Sequence, residues 1–173
     1  GKSMLMKKMR GAYRKTHICE AEGLCMQAGN KLSAWNLRDI KFGIQICYDN
    51  HFPESARALA LRGAEVLFCP YGSPGPCNRE GYESKQARWL RYQTARAFDN
   101  SLFLCVINQI HASPGSEQVR SRPEDTHMGV NEYPGGSMVL NPWGEVIARA
   151  QMGQEDLLVV DLRAVTLQKK LDD

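Results

Sequence analysis

The sequence predicts an α/β layered fold, on three observations. Residues 41 to 48 (Lys-Phe-Gly-Ile-Gln-Ile-Cys-Tyr) place Phe42, Ile44 and Ile46 at alternate positions, which is the period of a strand. Two further apolar runs follow, each separated from the one before by a segment with helical spacing. The chain then gives a hairpin signal, and strands that alternate with helices before a hairpin read as a sheet covered by helices.

The elements follow in order. Residues 1 to 10 hold Met4, Leu5, Met6 and Met9 without a capped beginning, and they lead into a strand-like Ala12 to Ile18. After the strand at 41 to 48, Asp49 and Asn50 can cap a helix and Pro53 suits its first turn. Ala56, Leu59 and Ala60 make that helix's apolar face, and Gly63 stops it. Ala64 to Cys69 reads as the next strand and Pro70 to Gly81 as a Gly/Pro-rich loop. A second helix is expected from Glu83 to Asn100, with Ala87, Leu90, Thr94 and Ala97 or Phe98 on one face. Leu102 to Ile107 is nearly continuous in apolar residues, as suits a strand covered on both faces. Residues 109 to 135 read as one long polar loop. Ser137 to Leu140 and Glu145 to Arg149 pair across an Asn141-Pro142-Trp143-Gly144 turn, and Leu157 to Asp161 is the last expected strand.

The 173 residues are 43% hydrophobic and 24% charged, and no repeat, linker or low-complexity tract divides them, so they form one folding unit or part of one. No run approaches the ~20 consecutive apolar residues of a membrane span, and the basic N-terminus leads into no apolar stretch suited to a secretory signal. A cytoplasmic location without membrane contact is expected. Six basic side chains and no acid fall in residues 1 to 15, yet the aromatic interleaving of a single-strand platform is missing. Nucleic acid is therefore not an expected partner. Cys19, Cys25, Cys47, Cys69, Cys77 and Cys105 form no CxxC pair, which argues against a metal centre, and most of them read as small core residues.

Cys47 stands apart. It ends a strand just before a turn into a helix that begins near Phe52, so its thiol faces main-chain N–H groups and a helix N-terminus. Such groups stabilise a thiolate and a developing oxyanion. The segment Gly43-Ile44-Gln45-Ile46-Cys47-Tyr48-Asp49-Asn50-His51-Phe52-Pro53-Glu54 resembles the nucleophile segment of the nitrilase, or carbon-nitrogen hydrolase, superfamily. Tyr13-Arg14-Lys15-Thr16-His17 resembles its lysine segment, and Arg62-Gly63-Ala64-Glu65-Val66-Leu67 the strand after the nucleophile turn. Ala95-Arg96-Ala97 with Asn100 is similar to the following helix, and Gly136-Ser137 with Asn141 to Val146 to the late hairpin. The resemblance runs from about residue 11 to 162, in the family's order.

The resemblance implies a nitrilase-like α-β-β-α four-layer sandwich, here as its C-terminal portion, with residues 1 to 173 one domain incomplete at its N-terminus. It implies a Glu-Lys-Cys triad: Cys47 as nucleophile, Lys15 as triad lysine, Glu22, seven residues before Gly29, as the second glutamate with Glu20 competing for that place, and the Tyr48 N–H as an oxyanion donor. The Lys15 ammonium is expected to lower the thiol's pKa. The triad's general-base glutamate lies upstream of the lysine in the family, and no acid precedes Lys15 here. Asn50, His51, Tyr71 and Ser73 are the candidate substrate-binding residues. Relatives that bind a carboxylate at the Asn50 and His51 positions use arginines there, which turns the expectation away from N-carbamoyl-D-amino acids. The expected reaction is hydrolysis of a linear amide or N-carbamoyl compound, releasing ammonia, without metal or organic cofactor, in a homo-oligomer. Nitrile hydrolysis, a non-catalytic scaffold of the same fold, and a Cys/His hydrolase using His51 or His111 are the alternatives.

Overall fold

A computed structural model of the chain describes residues 11–75, 79–110 and 133–172. The basic run at 1 to 10, Cys77, His111 and most of the expected long loop lie outside the described residues.

A six-stranded mixed sheet carries the structure, with strand order equal to chain order: β1 (Ala34–Leu37), β2 (Ile40–Ile44), β3 (Val66–Tyr71), β4 (Phe103–Asn108), β5 (Met138–Leu140) and β6 (Val146–Arg149). β2, β3 and β4 are parallel, and the other three pairings are antiparallel. Helix α2 (Pro53–Leu61) connects β2 to β3, and α3 (Arg79–Asn100) connects β3 to β4. Parallel crossovers are right-handed as a rule, and two that advance in one direction put both helices on one sheet face. There Ala56, Leu59, Trp89 and Ala97 pack against Leu67, Cys69, Tyr71, Leu104, Val106, Met138 and Leu140. Gly43 allows the close approach, because a Cβ there would stand 2.9 Å from Leu67 and 3.0 Å from Leu59. The opposite face carries Trp35, Phe42 and Phe68 in ring contact, with Ile107 47% exposed.

Several expectations shift. The strand at 41 to 48 ends at Ile44, and Cys47–His51 forms a 3-10 turn. The reason is the Asp49 carboxylate, which takes the Ile46 N–H at 2.9 Å and bends the chain out of the ladder. Asp49 and Asn50 therefore do not cap α2. Phe52 precedes it without a side-chain cap, and Pro53 holds the first position, where its missing N–H costs nothing. Gly63, at φ +82°, ends the helix as expected. Ala12 to Ile18 forms no strand, because the N–H groups of Thr16 and His17 go to Asp49 instead of to a neighbouring strand. Leu157 to Asp161 forms none either. Leu157 and Val159 are 83% and 85% exposed, so no described element covers their apolar side chains.

Helix α3 starts at Arg79, and its buried face is Lys85, Trp89, Gln93 and Ala97; Ala87 and Phe98 are exposed. The face is rotated from the apolar stripe because Lys85 and Gln93 find buried hydrogen-bond partners, which offsets the cost of burying them. Three elements had no counterpart in the expectations: α1 (Glu20–Gly23), β1, and α4 (Ala164–Asp172).

Candidate active site

Cys47 holds a left-handed backbone, φ +48°, which is uncommon for a residue with a side chain. The main-chain N–H of Tyr48 lies against its thiol. Burial pushes the thiol's pKa up, Lys15 pulls it down, Glu22 and Cys19 raise it, and the Tyr48 N–H lowers it; the net shift is upward. Lys15 thus acts in the expected direction, but burial outweighs it. Cys105 is pushed up to about 11 by burial, and buried Cys69 well above the ordinary thiol range.

The lysine comes from the irregular segment before α1. Its Nζ donates to both oxygens of Glu22, at 2.6 and 2.5 Å, and Lys15 is only 10% exposed. Burial pushes Glu22 upward, but Lys15 and the Cys19 N–H at 2.9 Å outweigh it and keep the carboxyl below its usual range. Glu22, and not the exposed Glu20, is therefore the partner of Lys15. Gly29 fixes the segment from the other side: its N–H donates to the Lys15 carbonyl at 2.7 Å, and a Cβ there would run into the Arg14 carbonyl.

Asp49, fully buried, ties this segment to the nucleophile turn. Its Oδ1 accepts from Thr16 N (3.1 Å), Thr16 Oγ1 (2.8 Å), His17 N (2.7 Å) and His17 Nδ1 (3.0 Å). Its Oδ2 accepts from the Tyr13 hydroxyl (2.7 Å) and Ile46 N (2.9 Å). Burial raises its pKa, the Tyr13, Ile46, His17 and Thr16 donors lower it, and the donors prevail. His17 also stacks on Phe52 at 3.9 Å between ring centroids.

The expected substrate-binding residues divide. Asn50 is fully buried, and its amide donates to the carbonyls of Gln45 (3.2 Å) and Cys47 (3.1 Å), so it braces the turn, while its Oδ1 is buried without a hydrogen-bond partner. Ser73 donates its N–H to Asn108 and receives Lys85 Nζ on its hydroxyl (3.0 Å) and carbonyl (2.7 Å), which makes it a loop anchor. Tyr71 is 6% exposed; its hydroxyl receives Gln93 Nε2 at 2.5 Å and meets the Tyr92 hydroxyl at 3.4 Å. His51 is exposed, with its ring between Tyr48 (5.0 Å) and Tyr92 (5.2 Å). Burial lowers its pKa, and the charges of Arg88 and Arg96 lower it further. Among the described residues no hydrogen bond joins His51 to Cys47, so the Cys/His alternative gains no support from His51. His111 lies outside the described residues.

Sequence reasoning missed Asp49, Tyr92, Gln93 and Lys85. Asp49 followed by a proline-started helix imitates a cap, and the three α3 residues carry no local signal of what they face. A cavity of about 500 Å³ is lined by Pro74, Gly75, Glu80, Gly81, Ser84, Lys85 and Arg88. Among the described residues no group of His, Cys, Asp and Glu is arranged to hold a metal ion, and no helix is long and apolar enough to cross a membrane.

A family model described as carbon-nitrogen hydrolase matches residues 4–170. The chain is 32% identical over 154 residues to an N-carbamoylputrescine amidase of Solanum tuberosum, covering 86% of this chain and 49% of that one. A crystal structure of a carbon-nitrogen hydrolase from Helicobacter pylori superposes with a TM-score of 0.72 at 25% identity, covering 95% of this chain and 55% of that one. A mutant of an amidase from a Nesterenkonia species, which shows the result of Michael addition of acrylamide at its active site cysteine, gives a TM-score of 0.69 at 25% identity, over 90% of this chain and 53% of that one. The chain spans about half the length of each of these relatives.

Proposed function

Because this chain belongs to the carbon-nitrogen hydrolase family, we propose that the protein hydrolyses the carbon-nitrogen bond of a small linear amide or N-carbamoyl compound, with Cys47 as nucleophile. One observation carries the reading: the Lys15–Glu22 ion pair, held by the Asp49 network, is close enough for both charges to act on a thiol that already meets the Tyr48 N–H. The thiol sulfur attacks the carbonyl carbon, and the resulting oxyanion takes hydrogen bonds from Tyr48 N–H and Lys15 Nζ. The thiol proton passes through a carboxylate to the departing nitrogen, which leaves as ammonia. Water then cleaves the thioester and restores the thiol. Glu22 holds the ammonium in place, and the resemblance assigns the proton carrier to a glutamate upstream of Lys15. The amidase relatives support a small-molecule substrate.

The raised thiol pKa favours one second reading, a non-catalytic scaffold. The experiment is ammonia release from linear amides, N-carbamoyl compounds and nitriles, with intact-mass detection of an acyl adduct. The proposal expects release from an amide or carbamoyl compound, an adduct mapped to Cys47, and loss of both in Cys47→Ala. Turnover of nitriles alone moves the reading to nitrile hydrolysis. Release that persists in Cys47→Ala, or no release at all, overturns it. Self-association, which the resemblance implies, is read by sedimentation.

A further inference from the structure

Cys19 and Cys47 lie on two segments that are tied to each other close to both thiols. His17, just before Cys19, donates its N–H at 2.7 Å to Asp49, just after Cys47. Cys19 also shares an anchor with the lysine. Its N–H reaches one oxygen of Glu22 at 2.9 Å, and Lys15 Nζ takes both oxygens of the same carboxylate at 2.6 and 2.5 Å. Charges on Cys19, Lys15 and Glu22 are all felt at the Cys47 thiol. Two sulfurs and one ion pair thus form a single cluster.

Both thiols are free, and they differ in what holds them. Cys47 packs against the hydrophobic core on a left-handed backbone, whereas Cys19 is exposed, takes no part in that core and precedes a helix of only four residues. The Cys19 side chain therefore turns without unpacking anything. A disulfide needs its Cα atoms within about 7 Å and its Cβ atoms aimed at each other, and the short exposed α1 is the element that yields to meet that demand.

We propose that Cys19 and Cys47 are a redox pair, joined by a hydroperoxide oxidant in a reversible disulfide that takes the nucleophile out of use. The exposed Cys19 meets the oxidant first. Its thiolate sulfur breaks the O–O bond of hydrogen peroxide and becomes a sulfenic acid, and the hydroxide released leaves as water with the thiol proton. The Cys47 sulfur, its thiolate favoured by Lys15, then attacks the Cys19 sulfur. An S–S bond forms, the S–O bond breaks, and the hydroxyl leaves as a second water with the Cys47 proton. The two thiols together lose two electrons and two protons, and peroxide is reduced to two waters. Only the resulting loss of hydrolysis rests on the amide-hydrolase reading; the bond itself stands on the cluster.

The test treats the protein with hydrogen peroxide in mildly alkaline buffer, blocks the remaining thiols with iodoacetamide and maps the unreduced peptides by mass. Ammonia release from the amide or carbamoyl compound turned over fastest is read before oxidation, after it, and after dithiothreitol. The expected result is a protein lighter by two hydrogens, a Cys19–Cys47 cross-linked peptide, and a loss of release that follows the cross-linked fraction and is restored by dithiothreitol. Cys19→Ser keeps a good capping residue before α1 together with the main-chain N–H on Glu22. It is expected to give no cross-link at Cys47 and no loss that dithiothreitol reverses. A bridge from Cys19 to Cys25, whose thiol lies against the Glu22 carbonyl at 3.6 Å, overturns the pair. So does a bridge from Cys47 to any other cysteine, the absence of any bridge, or a reversible loss that survives Cys19→Ser. A Cys19–Cys47 bridge in a protein that releases no ammonia before oxidation supports the pair and overturns the hydrolase reading.

Discussion

Asp49 receives both the main-chain N–H and the ring Nδ1 of His17, a residue thirty-two positions earlier, on one carboxylate oxygen at 2.7 and 3.0 Å. With Tyr13, Thr16 and Ile46 on the same carboxylate, this one side chain sets where the lysine segment sits against the nucleophile turn.

Asp49→Ala leaves several buried donors without an acceptor and should cost about 3 kcal/mol or more in urea unfolding. The native carboxyl has a depressed pKa, so its contribution is present above its unfolded pKa of about 4 and is lost as pH falls through the folded value. Urea midpoints measured from neutral to acid pH should therefore slope less for Asp49→Asn than for the native chain.

Alkylation of Cys47 should reach half its maximal rate at a pH above the ordinary thiol range, because burial outweighs Lys15. Lys15→Met removes the cation and moves the profile further up, whereas Glu22→Gln removes an anion and moves it down. Peptide-resolved labelling across pH reads both shifts, and a native Cys47 profile at or below the ordinary thiol range would contradict the geometry.

Gly43→Ala should destabilise by about 1–2 kcal/mol, since the added methyl meets Leu67 and Leu59 at 2.9 to 3.1 Å and α2 must move off the sheet. Thermal unfolding measures the loss. The same substitution at exposed Gly23, whose Cβ would meet only Ile18 at 3.9 Å, should leave the midpoint nearly unchanged.

Tyr71→Phe strands the amide of buried Gln93 and should cost roughly 1–3 kcal/mol by urea unfolding. Tyr92→Phe should cost much less, because its hydroxyl makes only a 3.4 Å contact with Tyr71. A larger loss for Tyr92→Phe would show that the Tyr71 hydroxyl is held chiefly by Tyr92 and not by Gln93.

What the sequence made legible follows from how local each signal is. The strand at Phe42 and Ile44, the glycine stop at Gly63 and the hairpin around Asn141 to Gly144 are written in neighbouring residues, and they stand where expected. Cys47 and Lys15 were read from words of twelve and five residues and Glu22 from its place before Gly29, and the structure pairs Lys15 with Glu22 and puts Cys47 within reach of both charges. Asp49 was misread because its partners lie more than thirty residues away, while its neighbours Asn50 and Pro53 imitate a helix start. The α3 face was misread because apolarity marks a buried stripe only when buried polar groups are few, and here Lys85 and Gln93 are satisfied inside. Val159 failed in the opposite sense: among the described residues its β-branched apolar run pairs with no strand.

The sheet order β1 through β6, identical to the order of synthesis, gives the chain a simple way to assemble. Each strand joins the edge left by its predecessor, and no strand must wait for a later one to be inserted between earlier neighbours. The loop closure of each addition spans only the segment between consecutive strands. The parallel junction of β3 with β4, which requires all of α3 to be in place, is the longest of these closures within the described elements flanking it. Growth from β1 should pause there, and a ribosome-bound chain ending before Phe103 would display β3 as a bare edge open to pairing with other chains.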